Sequence, residues 1–437
     1  MSSGPGFEAR SADWLSVTEA QRRVLDRATS LPGEWVPLVA TVGRALARDV
    51  VATATLPPWD NAAMDGYAVR GEDVEGASQA SPVTLRVSGV LRAGGTPSLT
   101  VAQGHAVRIM TGAPLPRGAD TVVRVEDTDA ESEPGLVRVL RDRDLGRHVR
   151  PGGQDMKPGD TVLTRGTSVQ PGTVAVLAAL GSERVFVHRA PRVAILTTGD
   201  ELRSADRYED VRTGAGVPES NGAMLSAAVM ANGAIPLPSG IVPDEPGALL
   251  EAVEAAADAD ILVTVGGASM GDADLVKRVL DGKGYEPDFW RVNMRPGSPF
   301  GFGWLPTGGL RQPVFGLPGN PVSAFVTFEL FVRPFLRILA GHRNVHRLRV
   351  RGRAAQEFRG GERTLFVRVT LDPAESPPLV HVAGPQGSGL VRGLASAQGL
   401  AVIPSRATVA PGNDVEVLLL DHDAAATRES PLEGIAT

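Results

Sequence analysis

The chain has 437 residues, 42% of them apolar, a length that calls for two to four domains with real cores. Its net charge of −6 leaves no basic footprint for nucleic acid, and the lack of cysteine excludes disulfides, thiolate catalysis and Cys-ligated metal centres. No run approaches the ~20 apolar residues of a membrane span, and the opening "MSSGPGFEARSADW" lacks the pattern of a signal peptide, so the cytoplasm is the expected compartment.

Residues Val17 to Val50 read as helical, with "SVTEAQRRVLDRAT" placing apolar residues at helical spacing behind Ser16 as N-cap. From Leu56 to about Arg150, short alternating strands such as "VTLRVSGV" and "TVVRVED" are punctuated by Gly and Pro, which reads as a small β domain. "RPGGQDMKPGD" is a linker. "SVQPGTVAVLAALG" is a helix closed by Gly181, and it can rejoin the first helix in one discontinuous domain. From Pro191 to about Gly341, strands ("RVAILTT", "DILVTVGG", "PFGFG", "PVFGL") alternate with helices ("SNGAMLSAAVMANG", "EPGALLEAVEAAAD", "PVSAFVTFELFVRPFLRIL"). That alternation predicts a doubly wound, mostly parallel α/β sheet. After His346 the texture is β-like again, a small barrel or open β domain. The polar tail beyond Asp423 is expected to be mobile.

In a doubly wound sheet, ligands bind beyond the carboxyl ends of the strands. Three loops stand out there. "ILTTGDEL" carries Gly199, Asp200 and Glu201; "VGGASMGDAD" carries Gly266, Gly267, Ser269, Asp272 and Asp274. "FGLPGNPVSAF" leads through Pro318 and Gly319 to Asn320 as N-cap and Pro321 in the first helical position. Glycine turns and helix starts offer N–H groups to anions. Each loop singly also reads as a plain strand-to-helix connection; three together favour an anionic ligand. Carboxylates repel phosphate unless a divalent cation lies between, and Mg²⁺ uses one or two carboxylates plus phosphate oxygens. Asp274, with Asp272, Asp200 or Glu201, therefore fits a metal-bridged nucleotide or phosphoester. The loops match neither GxxxxGK[ST] nor GxGxxG, which argues against a P-loop NTPase and a dinucleotide fold. Two other stretches are double-edged. "PPWDNAAMDGYAVR" reads as a rigid turn or as a functional loop with Asp60, Asn61 and Asp65. "FWRVNMRPGSPFGFG" reads as a solvated edge or as an oxyanion clamp built on Arg291 and Arg295.

The motifs "DNAAMDGYAVR", "VRIMTGAPLPRGADTVV", "TTGDEL", "SNGAML", "VGGASMGDAD", "FGLPGNPVSAF" and "GPQGSG" are collinear. In order and spacing the chain resembles the molybdopterin molybdenumtransferase (MoeA-like) family, which includes the E domain of gephyrin, from about Asp13 to Asp421. The resemblance implies a homodimer and a multidomain α/β plus β fold. Its parts are an elongated helical/linker domain (10–50 and 152–190), an inserted β domain (51–151), a molybdopterin-binding α/β domain (191–342), a C-terminal β domain (345–422) and a tail (423–437). It implies insertion of molybdate into adenylylated molybdopterin, with Mg²⁺-assisted cleavage of the adenylate and release of AMP.

Carried over position by position, the resemblance gives Asp65, Asp155, Glu201, Asp244 and Asp274 as catalytic acids, with Glu201 and Asp274 as metal ligands. It gives Thr111, Gly199, Asp200, Ser220, Asn221, Gly266, Gly267, Ser269, Pro318, Gly319 and Asn320 as substrate-binding residues. Arg291, Arg295, Ser298, Arg368 and Ser388 are the expected molybdate contacts, the last two reaching the partner subunit's site. The family's "KPGKP" here reads "RPGSP": Arg295 keeps a charge and Ser298 loses one, which implies a molybdate site held partly by a neutral hydroxyl. The alternative reading is a catalytically weak paralogue that serves as a dimeric interaction scaffold, as gephyrin's fold does.

Overall fold

The computed structural model, which describes residues 14–95, 99–266 and 275–420, divides into two units. One comprises the chain up to Ala47, Gly166–Val174 and everything from Arg184 onward; the other comprises Arg48–Arg165 and Ala175–Glu183.

The first unit is organised by a six-stranded sheet. Strands Ile235–Val242, Arg192–Thr198, Ile261–Val265 and Leu310–Leu317 lie side by side and parallel. Their continuous apolar runs, such as "ILVTV", are buried on both faces, as parallel strands covered by helices must be. Gly301–Thr307 and Glu286–Phe289 continue the sheet antiparallel, a departure from the parallel pattern that follows from the tight Gly308-Gly309 hairpin between Gly301–Thr307 and Leu310–Leu317. Helices Asn221–Ala231 and Pro246–Ala255 fall where the sequence pattern put them, and Leu275–Gly282 is a further helix. The expected long helix runs from Pro321 to Leu339 but passes through a π turn at Phe328–Val332. That wider turn lies just ahead of Pro334, whose missing N–H breaks a regular helical ladder. Phe300 stacks on Phe331 with ring centres 4.3 Å apart, at the heart of an aromatic core between this helix and the sheet.

C-terminal to this sheet, strands Arg349–Ala354, Leu379–Val382, Thr364–Asp372, Gly399–Ile403 and Asp414–Leu419 pair in a ring, which closes a barrel and removes its edges. Met294–Arg295 adds to the start of Thr364–Asp372 in parallel, with Met294 opposite Thr364 and Arg295 opposite Leu365.

The helical expectation for Val17 to Val50 holds only for Val17–Leu25, where Ser16 Oγ accepts from the Glu19 N–H at 3.1 Å. Pro32 and Gly33 end any helical run, and "GEWVP" (Gly33–Pro37) forms an antiparallel pair with Arg184–His188.

In the second unit, a five-stranded sheet orders Thr121–Arg124, Gly66–Val69, His105–Ile109, Val83–Leu91 and Leu136–Val139. Two apolar clusters, one around Tyr67 and Val123 and one around Val107 and Ile109, cover its faces.

Candidate functional site

Parallel pairing brings four strand ends to one edge of the α/β sheet: Thr198, Val242, Val265 and Leu317. The residues that follow are Gly199–Asp200–Glu201, Asp244, Gly266 and Pro318–Gly319–Asn320, so most of the loops singled out in the sequence converge there. The turn at Gly266 demands glycine twice over. Its φ is +91°, and a Cβ would lie 2.7 Å from the Thr198 carbonyl oxygen. Thr198 Oγ1 donates to Asp244 and also lies 3.0 Å from the Val242 carbonyl, while the Asp244 N–H donates to Asp200 Oδ1 at 3.2 Å. Asp200, Glu201 and Asp244 remain exposed.

Asn221 opens the helix on the neighbouring side. Its Nδ2 donates to the Gly319 carbonyl at 2.7 Å, and its buried Oδ1 has no hydrogen-bond partner among the described residues. Ser220 holds the N-cap position without a capping bond; Glu219 caps instead, accepting from the Gly222 N–H at 2.7 Å. Asn320 likewise takes the extended N-cap conformation with no side-chain cap bond. Gly267, Ser269, Asp272 and Asp274 lie outside the described residues. Among the described residues, no group of three or more His, Asp or Glu gathers to hold a metal ion.

A second feature of the same unit is a cleft of about 850 Å³ where the "RPGSP" turn meets the barrel, lined by Arg295, Ser298, Arg363 and Ser388 among others. Its size suits a small-molecule site. Two of the expected residues are held by partners within the protein. Ser298 is buried and donates its hydroxyl to the Met294 carbonyl, so that proton is committed inside the turn and not available to an oxyanion. Arg368 is 1% exposed and points inward. Its guanidinium donates to the carbonyls of Leu390 and Pro385 at 2.7 Å each and of Gly387 at 3.3 Å. Burial without a carboxylate partner lowers its pKa from the ordinary arginine value. Arg368 therefore pins the loop that carries Ser388. The Ser388 carbonyl, expected near a partner subunit's site, accepts from the Val322 N–H of the same chain at 3.0 Å.

Sequence reasoning missed Arg363, whose Nη1 donates to Ser298 Oγ at 2.8 Å. It also missed Trp14, whose ring lies 4.2 Å from the Arg363 guanidinium carbon and 5.4 Å from that of Arg291. No local motif marks either residue. Their positions follow from the pairing of Met294–Arg295 with Thr364–Leu365 and from the bridge between Leu15 and Val292.

In the second unit the structure unites two predicted residues. Gly66 pairs with Ile109, which sets Asp65 beside Thr111, and Asp65 Oδ1 accepts from the Thr111 N–H at 2.7 Å and from its hydroxyl at 2.8 Å. These bonds, the backbone one first, hold the Asp65 pKa below its ordinary value. Asp155 is exposed, in a turn where its N–H donates to the Leu56 carbonyl at 3.1 Å.

Glycine turns at one edge of a mostly parallel sheet, with a closed barrel in the same unit, define a multidomain α/β plus β protein with a strand edge suited to an anion. Family models match in series: "MoeA N-terminal region (domain I and II)" over residues 15–181, "Probable molybdopterin binding domain" over 194–338 and "MoeA C-terminal region (domain IV)" over 351–420. The chain is 39% identical over 393 residues to a molybdopterin molybdenumtransferase of Nostoc sp., covering 89% of this chain and 88% of that one. It is 38% identical over 414 residues to molybdopterin molybdenumtransferase 2 of Mycobacterium tuberculosis, with 92% and 98% covered. Among solved structures, the molybdopterin biosynthesis moeA protein of Pyrococcus horikoshii OT3 superposes with a TM-score of 0.80 at 30% identity, over 93% of this chain and all of that one. The chain belongs to the molybdopterin molybdenumtransferase family, transferases of molybdenum cofactor biosynthesis.

Proposed function

We propose that the chain inserts molybdate into adenylylated molybdopterin in the cytoplasm, with Mg²⁺-assisted cleavage of the adenylate and release of AMP, and that it works as a homodimer. The observation that carries this reading is the presence, in one unit, of a glycine-and-carboxylate strand edge and an arginine-lined cleft. The first suits a phosphoanhydride and the second a small oxyanion. In this reading the turns at Gly199, Gly266 and Gly319, with Gly267 and Ser269, hold phosphate through backbone N–H groups. Asn221 offers its unpartnered Oδ1 to a substrate donor, and Ser220, Pro318 and Asn320 border it. The exposed carboxylates at this edge are hard oxygen donors of the kind Mg²⁺ takes one or two at a time. Glu201 and Asp274 would hold the ion, which neutralises charge on the anhydride when bound. Asp200 and Asp244 shape the same edge, and Asp65, held by Thr111, and Asp155 are assigned to the reaction from the family pattern. Molybdate falls to the cleft, where Arg295 supplies charge and Ser388 a polar edge, and Arg291 is assigned to it from the family pattern.

The test is AMP release from adenylylated molybdopterin, read by chromatography beside reactivation of a cofactor-free molybdenum enzyme. Release is expected to depend on both molybdate and Mg²⁺ and to fall at least tenfold in Glu201→Gln and Asp274→Asn. Sedimentation at micromolar protein is expected to give a dimer. No AMP at any molybdate concentration would sink the reading and leave the scaffold in its place.

A further inference from the structure

Between strand Arg192–Thr198 and helix Asn221–Ala231 the chain makes a side excursion that lies outside the motifs singled out above. Leu202–Arg203 and Val217–Pro218 pair in parallel at its root, and helix Tyr208–Arg212 lies within it. The root grips the turn of the strand edge. The Val217 N–H donates to the Glu201 carbonyl at 2.8 Å, and the Glu219 N–H to the Arg203 carbonyl at 2.8 Å. Arg203 Nη1 donates to the Asp200 carbonyl at 2.7 Å and to the Leu202 carbonyl at 2.8 Å. The Arg203 side chain is 20% exposed, and its Nε faces Asp210 of the short helix at 3.5 Å. Arg207 holds the same carboxylate at 2.5 Å. Toward the sheet, Asp200 Oδ1 accepts from the Asp244 N–H, and the Glu201 carboxylate folds back over Gly199, where a Cβ would lie 2.8 Å from Oε2. The main chain of Asp200 is thus held by Arg203 and its side chain by the sheet.

We propose that Arg203 is a positioning residue for the acids Asp200 and Glu201, locked in turn by Asp210, so that the excursion sets how tightly the strand edge takes Mg²⁺ with its substrate. This rests on the reading that the edge binds adenylylated molybdopterin with a divalent cation. A guanidinium close to a cation site is unfavourable by charge alone. Arg203 directs its donors to backbone carbonyls and faces Asp210, so it fixes the turn while a carboxylate answers its charge. Outer partners of this kind govern metal affinity by fixing the orientation of the ligating carboxylates. The charge of Arg203 and its hold on the turn therefore act on a bound cation with opposite sign, and that opposition makes the role measurable.

The experiment titrates Mg²⁺ by calorimetry into the full-length protein saturated with adenylylated molybdopterin, without molybdate, so that binding is read apart from AMP release. Arg203→Met is expected to weaken Mg²⁺ about tenfold, and Arg203→Lys about threefold, since an ammonium still reaches one carbonyl. Loss of a nearby positive charge would by itself tighten a cation, so the direction of the change separates positioning from plain electrostatics. Affinity for the adenylylated substrate in EDTA is expected to stay within about twofold, whereas a merely structural arginine would lower it along with the thermal melt. Asp210→Asn is expected to weaken Mg²⁺ about threefold alone and to add nothing to Arg203→Met, because it acts through that side chain. Glu209→Gln, the same charge change on the same helix but at a residue paired with Arg212, is expected to have no effect. Tighter or unchanged Mg²⁺ in folded Arg203→Met overturns the proposal and leaves the strand-edge reading standing. Should that variant not fold, Arg203→Lys decides, because a weaker Mg²⁺ site at unchanged charge supports positioning and an unchanged one overturns it. If the natural protein binds the adenylylated substrate with no dependence on Mg²⁺, the metal reading of the edge falls and the proposal with it.

Discussion

The strand edge and the arginine cleft are both suited to anions, yet they are built from opposite charges held in opposite ways. At the strand edge, carboxylates are tied by donors of the sheet itself: Thr198 to Asp244, and the Asp244 N–H to Asp200. Their negative charge stays, and a phosphate can settle there only with a cation. In the cleft Arg363 is held by neutral partners, the Ser298 hydroxyl and the Trp14 ring, while Arg359 is paired with Glu357 and Glu362 adds a carboxylate to the wall. The lesson is that the partner holding a charged group matters as much as the charge. Arg363 and Arg368 stand five positions apart in one stretch of chain, but the first is held by a hydroxyl and a ring while the second is enclosed by three carbonyls. Only the first lines the cleft.

The contrast breaks most severely at Arg368. Arg368→Met removes the charged donors to the carbonyls of Leu390, Pro385 and Gly387, for a loss of roughly 2 kcal/mol in urea unfolding. Molybdate affinity is expected to fall with the freed Ser388 loop while the KM for the adenylylated substrate stays within about twofold. An equal loss of both would mean that the two features are not separable. The converse change is Gly266→Ala, whose strained φ and clash with Thr198 are expected to cost about 2 kcal/mol and to raise the KM for the adenylylated substrate, with molybdate binding unaltered. Thr198→Val is milder: Asp244 and the Val242 carbonyl lose their shared donor, for about 1 kcal/mol by thermal melt.

Thr111→Val sharpens the comparison with the second unit, since Asp65 is also a carboxylate tied by neutral donors. The variant keeps the backbone bond and loses the hydroxyl one, so the Asp65 pKa should rise part of the way toward the ordinary ~3.9. The sign follows from linkage. A carboxylate whose folded pKa is depressed stabilises the fold above its unfolded pKa, and that contribution disappears as pH falls through the folded value. Thr111→Val narrows that window from its acid side. Carboxyl chemical shifts followed by NMR would show the rise, and an unmoved titration would mean that the hydroxyl contributes nothing.

What the sequence revealed was what local pattern can carry. The strands Arg192–Thr198 and Ile261–Val265 and the helices Asn221–Ala231 and Pro246–Ala255 were legible because apolar period and capping act over a few residues. Gly33–Pro37 was not, because its partner Arg184–His188 is far away in the chain and no nearby residue announces the pairing. The strand-edge residues were visible through glycine and acid spacing, and Asp65 with Thr111 through the family motifs. The inward turn of Arg368 was not visible, because a charged side chain in a strand looks the same whether it faces solvent or three carbonyls. Arg363 went unnoticed because its meaning depends on register, which sets "MR" beside "TL" across two parts of the fold. The departure at Ser298 was plain in the sequence, while its contact with Arg363 was legible only in three dimensions.

That short register has a mechanical consequence. Met294–Arg295 belongs to the α/β part of its unit yet hydrogen-bonds to the barrel strand Thr364–Asp372. A barrel swinging outward must unzip this pair, and in doing so it carries Arg363 away from Ser298. The cleft's charge and the barrel's seating thus form a single latch. Deuterium uptake at the amides that join Met294–Arg295 to Thr364–Leu365 is expected to rise in step under any condition that unseats the barrel.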